Sequence, residues 1–245
     1  LKSYGFPTTI YVTTYYVRHN NPIFRLVLQY FFWKAQAAKL ALDGLIPDLD
    51  GVIRIKHAEQ TLWRIIDYGE QKLYEDNRVD LAREIGLRLG LSYDELRQTR
   101  QLTLLTEEEI GQLSKSGFDI QLHTHRHRLP DDPDGVMQEV ADNRAVLEPL
   151  VQRHLRHLCY PSGVWSENHW PGLVAAGIDT ATTCVAGVNP PNARKLALAR
   201  ILDEEHLPQI FFEGELYGFG EALRTLRRWP RVGQRHESSS QKLDE

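Results

Sequence analysis

Phe118-Asp119-Ile120-Gln121-Leu122-His123-Thr124-His125-Arg126-His127 is a short apolar segment that runs into three histidines within five residues. The Phe-Asp-Ile-Gln-Leu lead-in, a short apolar segment of strand length, reads as a strand rather than a helix. A neutral imidazole is a common metal ligand near physiological pH. A strand that ends in histidines can therefore present more than one ligand to a single cation. His123 and His127 are the candidate ligands, and His125 between them is expected to face elsewhere or to position substrate.

Outward from this run, the chain alternates strand and helix. Thr106-Glu107-Glu108-Glu109 has capping-box spacing and opens a helix that Gly117 closes. After the histidines the pattern predicts a helix over 135–152, a strand over 155–160, a helix over 169–176 and a strand over 180–184. Further strands are expected at 196–201 and 210–213, then a helix over 220–228. Upstream, 6–12 reads as a strand, preceded by a helical turn that Gly5 closes. This alternation implies a parallel sheet or a barrel of βα units, with ligands at the carboxyl ends of the strands. His123, Tyr160 and Cys184 fall at such ends.

Residues 21–104 break the rhythm. They are helical in pattern, with Pro47, Asp48, Asp50 and Gly51 marking a turn between helices. Trp63, Ile66 and Leu73 continue an apolar face, and Asp80, Leu81, Ile85 and Leu89 outline a helix that stops at Gly90. The region reads as a helical insertion into one domain over 1–230, followed by a polar tail over 231–245 expected to be disordered.

Composition narrows the function. The chain has 245 residues, 42% hydrophobic and 25% charged, as an ordinary globular protein has. A net charge of −4 offers no electrostatic footprint for nucleic acid. The arginines at 224, 227, 228 and 231 read as a solvated helix face. The most apolar run, Ile23 to Trp33, contains Arg25 and Gln29 and is shorter than the ~20 residues of a membrane span. Two cysteines, Cys159 and Cys184, suffice neither for a disulfide framework nor for a four-thiolate zinc site. The chain opens at Leu1 with Met137 as its only methionine, so its natural start is expected to lie upstream.

A second constellation is Leu158-Cys159-Tyr160-Pro161-Ser162-Gly163. Its Pro and Gly force a tight turn after a strand, and backbone N–H groups in such a turn can face a developing oxyanion. In this order the pieces resemble the polysaccharide deacetylases, the NodB-homology family. His123-Thr124-His125-Arg126-His127 matches the family's His-Thr-x-x-His element, and Cys159-Tyr160-Pro161-Ser162-Gly163 is similar to its Tyr-Pro-x-Gly variant. Leu105 to Gly117 resembles the family's lead-in helix, Asp179 to Thr183 its next strand, and Leu1 to Val17 the segment after its first motif.

The resemblance implies a distorted (β/α) barrel with its first strand missing from this chain. It implies metal-dependent deacetylation of an acetylated carbohydrate, the hydrolysis of a carbon–nitrogen bond that is not a peptide bond. His123 and His127 would hold a divalent metal, usually zinc. Tyr160 and Ser162 would be catalytic, and His125, Pro161, Gly163 and Arg200 would contact the sugar. Some family features are absent. The Asp-Asp motif that supplies the base and third ligand is expected before Leu1, and Asp131-Asp132 follows a proline without matching it. The arginine of the third motif is replaced near Cys159. Leu198-Ala199-Arg200 stands where a Leu-x-His element is expected, and His206 is a poor match. These departures predict weak metal binding and impaired turnover. The alternatives are a catalytically inactive glycan-binding or scaffold homologue, using Trp165, Tyr217 and Trp229 to stack on sugars, or a hydrolase of another carbon–nitrogen bond.

Overall fold

The computed structural model of the chain describes residues 1–35, 38–203, 205 and 207–227. In chain order the elements are β1 (Thr9–Val12), α1 (Tyr15–His19), α2 (Phe24–Lys34), β2 (Lys39–Ala41), β3 (Val52–Arg54) and α3 (Glu59–Lys72). Then come α4 (Glu75–Leu89), α5 (Tyr93–Gln98), α6 (Glu107–Lys115), β4 (Asp119–Leu122), α7 (Pro133–Val151) and β5 (His157–Cys159). The last are α8 (Trp170–Ala175), β6 (Thr180–Ala186), β7 (Leu198–Arg200), α9 (Gln209–Leu216) and α10 (Phe219–Arg227). The expected tail, Arg228, Trp229 and His206 lie outside the described residues.

The chain divides into two compact units, Leu1–Tyr15 with Glu107–Glu245, and Tyr16–Thr106. In the first, the described strands form one parallel sheet in the order β1-β4-β5-β6-β7. The expected α/β class with a parallel sheet is thus observed. Side chains alternate across a strand with period two, and here the two faces differ in chemistry. Val12, Ile120, Leu122, Leu158 and Ala181 are buried and supply the apolar face. The other face carries hydrogen-bonded polar groups. Thr9 Oγ1 donates to Asp119 Oδ2 at 3.0 Å, Gln121 Nε2 donates to Asp119 Oδ1 at 3.0 Å, and His157 Nδ1 lies 2.8 Å from Thr180 Oγ1. His123 is next in register after Gln121, so the polar face leads to the histidine run.

α7 begins where its sequence dictates. Asp132 caps it, accepting from Gly135 N at 2.7 Å, with Pro133 in the first turn. That capping role accounts for Asp131-Asp132 without any link to a metal motif. β6 runs to Ala186, so Cys184 lies within the strand rather than at its end. The strand expected at 210–213 is instead part of α9. Pro208 precedes its first turn, and Gln209 Nε2 donates to Glu213 Oε1 at 2.7 Å across one helical turn. The Ile-Phe-Phe run had strand propensity, which this short-range helical pairing overrides.

The second unit packs α2, α3, α4 and α5 around Phe24, Leu28, Phe31, Ile65, Ile66 and Ile85. The turn at Pro47 to Gly51 lies between two strands, not between helices: β2 and β3 pair antiparallel, with Leu40 opposite Ile53. Three-residue strands with one buried anchor, Leu40, leave too little periodicity to read from sequence. Arg78 closes the end of α3, donating from Nε to Gly69 O at 2.8 Å and from Nη2 to Glu70 O at 2.9 Å. Carbonyls in the last turn of a helix are short of intrahelical donors, and Gly69 O otherwise receives only the long Leu73 N–H bond of 3.3 Å.

One packing prediction follows from α4. A Cβ on Gly86 would stand 2.7 Å from Leu91 O and 2.9 Å from the Phe31 ring. Alanine normally gains about 1 kcal/mol over glycine inside a helix. Overpacking against backbone costs about 1–3 kcal/mol and should win. Gly86→Ala is therefore expected to lower the urea midpoint, and an unchanged or raised midpoint would refute the tight contact.

Candidate metal centre and deacetylase site

The histidine run leaves β4 as an irregular strap, with positive φ at Thr124 (60°) and His127 (56°). Non-glycine residues occupy that region only when their surroundings hold them there. The holding groups come from β1 and α7. Asn143, fully buried on α7, accepts from His123 N at 2.9 Å and donates to Val12 O at 3.0 Å and to Thr14 Oγ1 at 2.9 Å. Glu139, one turn earlier, accepts from His125 N at 3.0 Å and Arg126 N at 2.8 Å. Thr13 Oγ1 and Tyr15 N both donate to His125 O at 2.9 Å.

His123 and His127 come together, with ring centroids 4.9 Å apart and planes at 72°. His123 Nδ1 lies 2.7 Å from Cys159 O. A carbonyl oxygen only accepts, so Nδ1 must carry the ring proton and Nε2 keeps its lone pair. A ligating histidine commonly shows this arrangement, its second nitrogen donating to a backbone carbonyl. Burial pushes the His123 imidazolium below its ordinary value, opposed by the Cys159 carbonyl and reinforced by Arg200. The neutral, ligating form is therefore favoured. His125 is separated from this pair: its Nδ1 is 2.9 Å from Thr14 Oγ1 and its ring meets Tyr15 edge-on at 5.8 Å.

Among the described residues no group of three His, Cys, Asp or Glu side chains is arranged to hold a metal ion. The His123–His127 pair nevertheless suits a borderline-soft divalent cation by donor type, and His123 by its tautomer and favoured neutral form as well.

The Tyr160 loop is placed one strand over. The Tyr160 phenol is buried, donates to Leu196 O at 2.8 Å, and is pushed up to about 12 by burial. Its amide N–H is also committed, to Thr182 O at 3.0 Å. Pro161 has no N–H, while Gly163 N and Val164 N donate to Tyr160 O and Pro161 O. Ser162, exposed and at φ 54°, is thus the residue of this turn whose N–H enters no hydrogen bond among the described residues. Arg200 lies at the end of β7 and donates to Cys184 Sγ at 2.8 Å. Trp165 is stacked on Trp170 (6.1 Å, 3°) and packs against Tyr160 at 6.0 Å, so its ring is engaged within the loop.

Gly163 has a positional reason to be glycine. Its φ is +70°, and a Cβ there would stand 2.5 Å from Cys184 Sγ. Gly163→Ala combines backbone strain with a clash and should cost about 2–4 kcal/mol. Thermal unfolding checks this, and a melting temperature equal to wild type would count against it.

A pH effect follows from burial. His169, like His123, is held below the ordinary 6.5 by burial, which Asp131 partly opposes. In the window below 6.5 the unfolded chain binds more protons than the folded one. Stability is therefore full above that value and is lost as pH falls through the folded values. The urea midpoint of metal-free protein should drop between pH 7 and pH 5, and His169→Gln should reduce the drop. Equal slopes for wild type and variant would exclude His169 as a contributor.

Sequence reading missed Asn143, Glu139, Thr13 and Thr14. A signal was present: Val136, Glu139, Val140, Asn143, Val146 and Leu147 are the buried stripe of α7. Two polar residues four apart inside an apolar helical stripe call for partners.

The polysaccharide deacetylase profile matches residues 55–181, just over half of the chain. The chain belongs to the polysaccharide deacetylase family. The matched span includes the histidine run, the Tyr160 loop and the network on α7. No curated protein gives a significant match. Among solved structures, a polysaccharide deacetylase from Bacillus cereus is 20% identical with a TM-score of 0.41, covering 46% of this chain and 37% of its own. The chain thus spans little more than a third of that protein. The Streptococcus pyogenes deacetylase PplD, solved with acetate, is 16% identical with a TM-score of 0.41, covering 87% of this chain and 95% of its own. The BpsB deacetylase domain of Bordetella bronchiseptica is 12% identical with a TM-score of 0.45, covering 82% and 63%. No described helix is long and apolar enough to cross a membrane.

Proposed function

We propose that this chain hydrolyses the acetamide of an acetylated carbohydrate, using a divalent cation held by His123 and His127. The supporting observation is the Nδ1–H donation of His123 to Cys159 O, which leaves Nε2 unprotonated beside the His127 ring. A bound cation would supply Lewis acidity toward an acetyl carbonyl and toward water. Zinc suits a site built on imidazole. The Ser162 N–H is available to an acetyl oxygen as charge develops on it, a role that the committed Tyr160 N–H and phenol do not support. Pro161 and Gly163 hold that turn in shape, and Arg200 at the end of β7 and His125 beyond β4 are candidate sugar contacts. With two imidazoles and no clustered third ligand among the described residues, affinity and turnover are expected to be low.

The test is acetate release from N-acetylated and O-acetylated amino-sugar oligomers by the chain loaded with zinc or cobalt(II). Chelator-sensitive release, larger for the N-acetyl substrate, supports the reading. Sugar binding without acetate release would instead favour a glycan-binding homologue. An absence of cation binding would remove the basis for the metal site.

A further inference from the structure

We propose that Glu139 is a positioning residue that sets the geometry of the histidine strap, and through it the cation site. The inference rests on reading His123 and His127 as cation ligands. Glu139 is 3% exposed and lies on the apolar stripe of α7, between Val136 and Val140. A carboxylate in such a place is strongly disfavoured unless its oxygens are fully engaged. Here they are. One oxygen, Oε2, accepts two consecutive backbone N–H groups, from His125 at 3.0 Å and Arg126 at 2.8 Å. The other, Oε1, accepts from the Arg126 guanidinium at 2.7 Å, which also reaches Asp142 Oδ2 at 3.0 Å.

Two successive amides can share one acceptor only if the backbone between them curls around it. The left-handed Thr124 just before and His127 just after provide that curl. The carboxylate therefore fixes the direction in which the chain leaves His125 and returns at His127. With Asn143 on His123 N, successive turns of α7 hold the strap on both sides of Thr124. His127 itself is exposed, so the placement of its ring beside His123 depends on this backbone clamp.

Two conservative variants separate positioning from simple packing. Glu139→Gln keeps one carbonyl oxygen able to accept both amides; its NH2 group displaces the half-exposed Arg126 guanidinium, which retains Asp142 Oδ2 as a partner. Glu139→Asp keeps the charge but draws it back by one methylene, out of reach of the strap. Cobalt(II) affinity and its visible absorption spectrum are read on the full chain, together with amide exchange of residues 123–128 in the metal-free protein. Glu139→Asp should weaken cobalt binding by about 10–100-fold, the range for groups that orient metal ligands, with an altered spectrum and faster exchange in the strap. Glu139→Gln should stay within about threefold of wild type on the same scale. If Glu139→Asp matches wild type in exchange, or in affinity and spectrum, the proposal is overturned. Faster strap exchange in a chain whose wild type binds no cobalt would uphold the clamp and refute the metal reading instead.

Discussion

His123→Ala should reduce cation affinity by at least about 100-fold and bring acetate release to background, because the site then keeps a single imidazole. The effect should exceed that of His127→Ala. His123 is the histidine whose tautomer is fixed, by Cys159 O at 2.7 Å, and whose protonated form is disfavoured by burial. His127 is exposed at the rim. A buried neutral imidazole also sets the pH behaviour. Protons compete for Nε2 only below the ordinary histidine value, so cobalt affinity should be flat above about pH 6.5 and decline below it. Isothermal titration with zinc and optical titration with cobalt(II) measure both effects. If His123→Ala binds cobalt with wild-type affinity, the assignment of this histidine as a ligand is wrong. The variant should remain folded, since the backbone contacts of residue 123 to Asn143 do not involve the ring.

The same stretch shows what a sequence can and cannot convey. The strand leading to His123 and the turn at Tyr160-Pro161-Ser162-Gly163 were legible because each rests on local signals: a short apolar run of strand length, a proline, and a glycine that takes positive φ. The pairing of His123 with His127, and the diversion of His125 toward Thr14, depend on left-handed conformations at Thr124 and His127, for which neither residue type gives a local cue. The oxyanion candidates, read from sequence as Tyr160 and Ser162 together, narrow to Ser162 because the Tyr160 amide is used by the sheet, and sheet register is a non-local property. The β2–β3 hairpin and α9 were misread for a related reason. Short segments carry too few residues for periodicity to outvote propensity.

The network on α7 was not read at all, yet it joins three parts of the first unit. Asn143 lies 131 positions from Val12 in sequence, and one amide group bonds the end of β1, the hydroxyl of Thr14 and the first residue of the histidine strap. Its orientation is fixed, because Val12 O must receive the NH2 group and His123 N must face the carbonyl. The histidine strap and the β1–β4 edge of the sheet therefore share this amide as a polar anchor, beside the Thr13 and Tyr15 bonds to His125 O. This couples the placement of the strap to the stability of the fold.

Asn143→Ala is accordingly expected to be among the most destabilising single substitutions in the chain. It removes the partners of His123 N, Val12 O and one acceptor contact of Thr14, in a position with no solvent exposure. A buried polar group left without a partner costs about 1–3 kcal/mol. Partial recovery by water in the vacated space limits the total to about 3–5 kcal/mol. Against a typical stability of about 5–15 kcal/mol this is a large fraction. For a chain of this size it corresponds to a melting-temperature drop of roughly 10 °C. Asn143→Asp should be no better than alanine. It keeps an acceptor for His123 N but turns a second carboxylate oxygen toward Val12 O, where two acceptors oppose each other. Ordinary helix propensity predicts the reverse for alanine, a gain of about half a kcal/mol, so the two expectations differ in sign. A melting temperature for Asn143→Ala within about 2 °C of wild type would mean the amide is dispensable, and the anchor must then be sought in Glu139 and Thr14 alone.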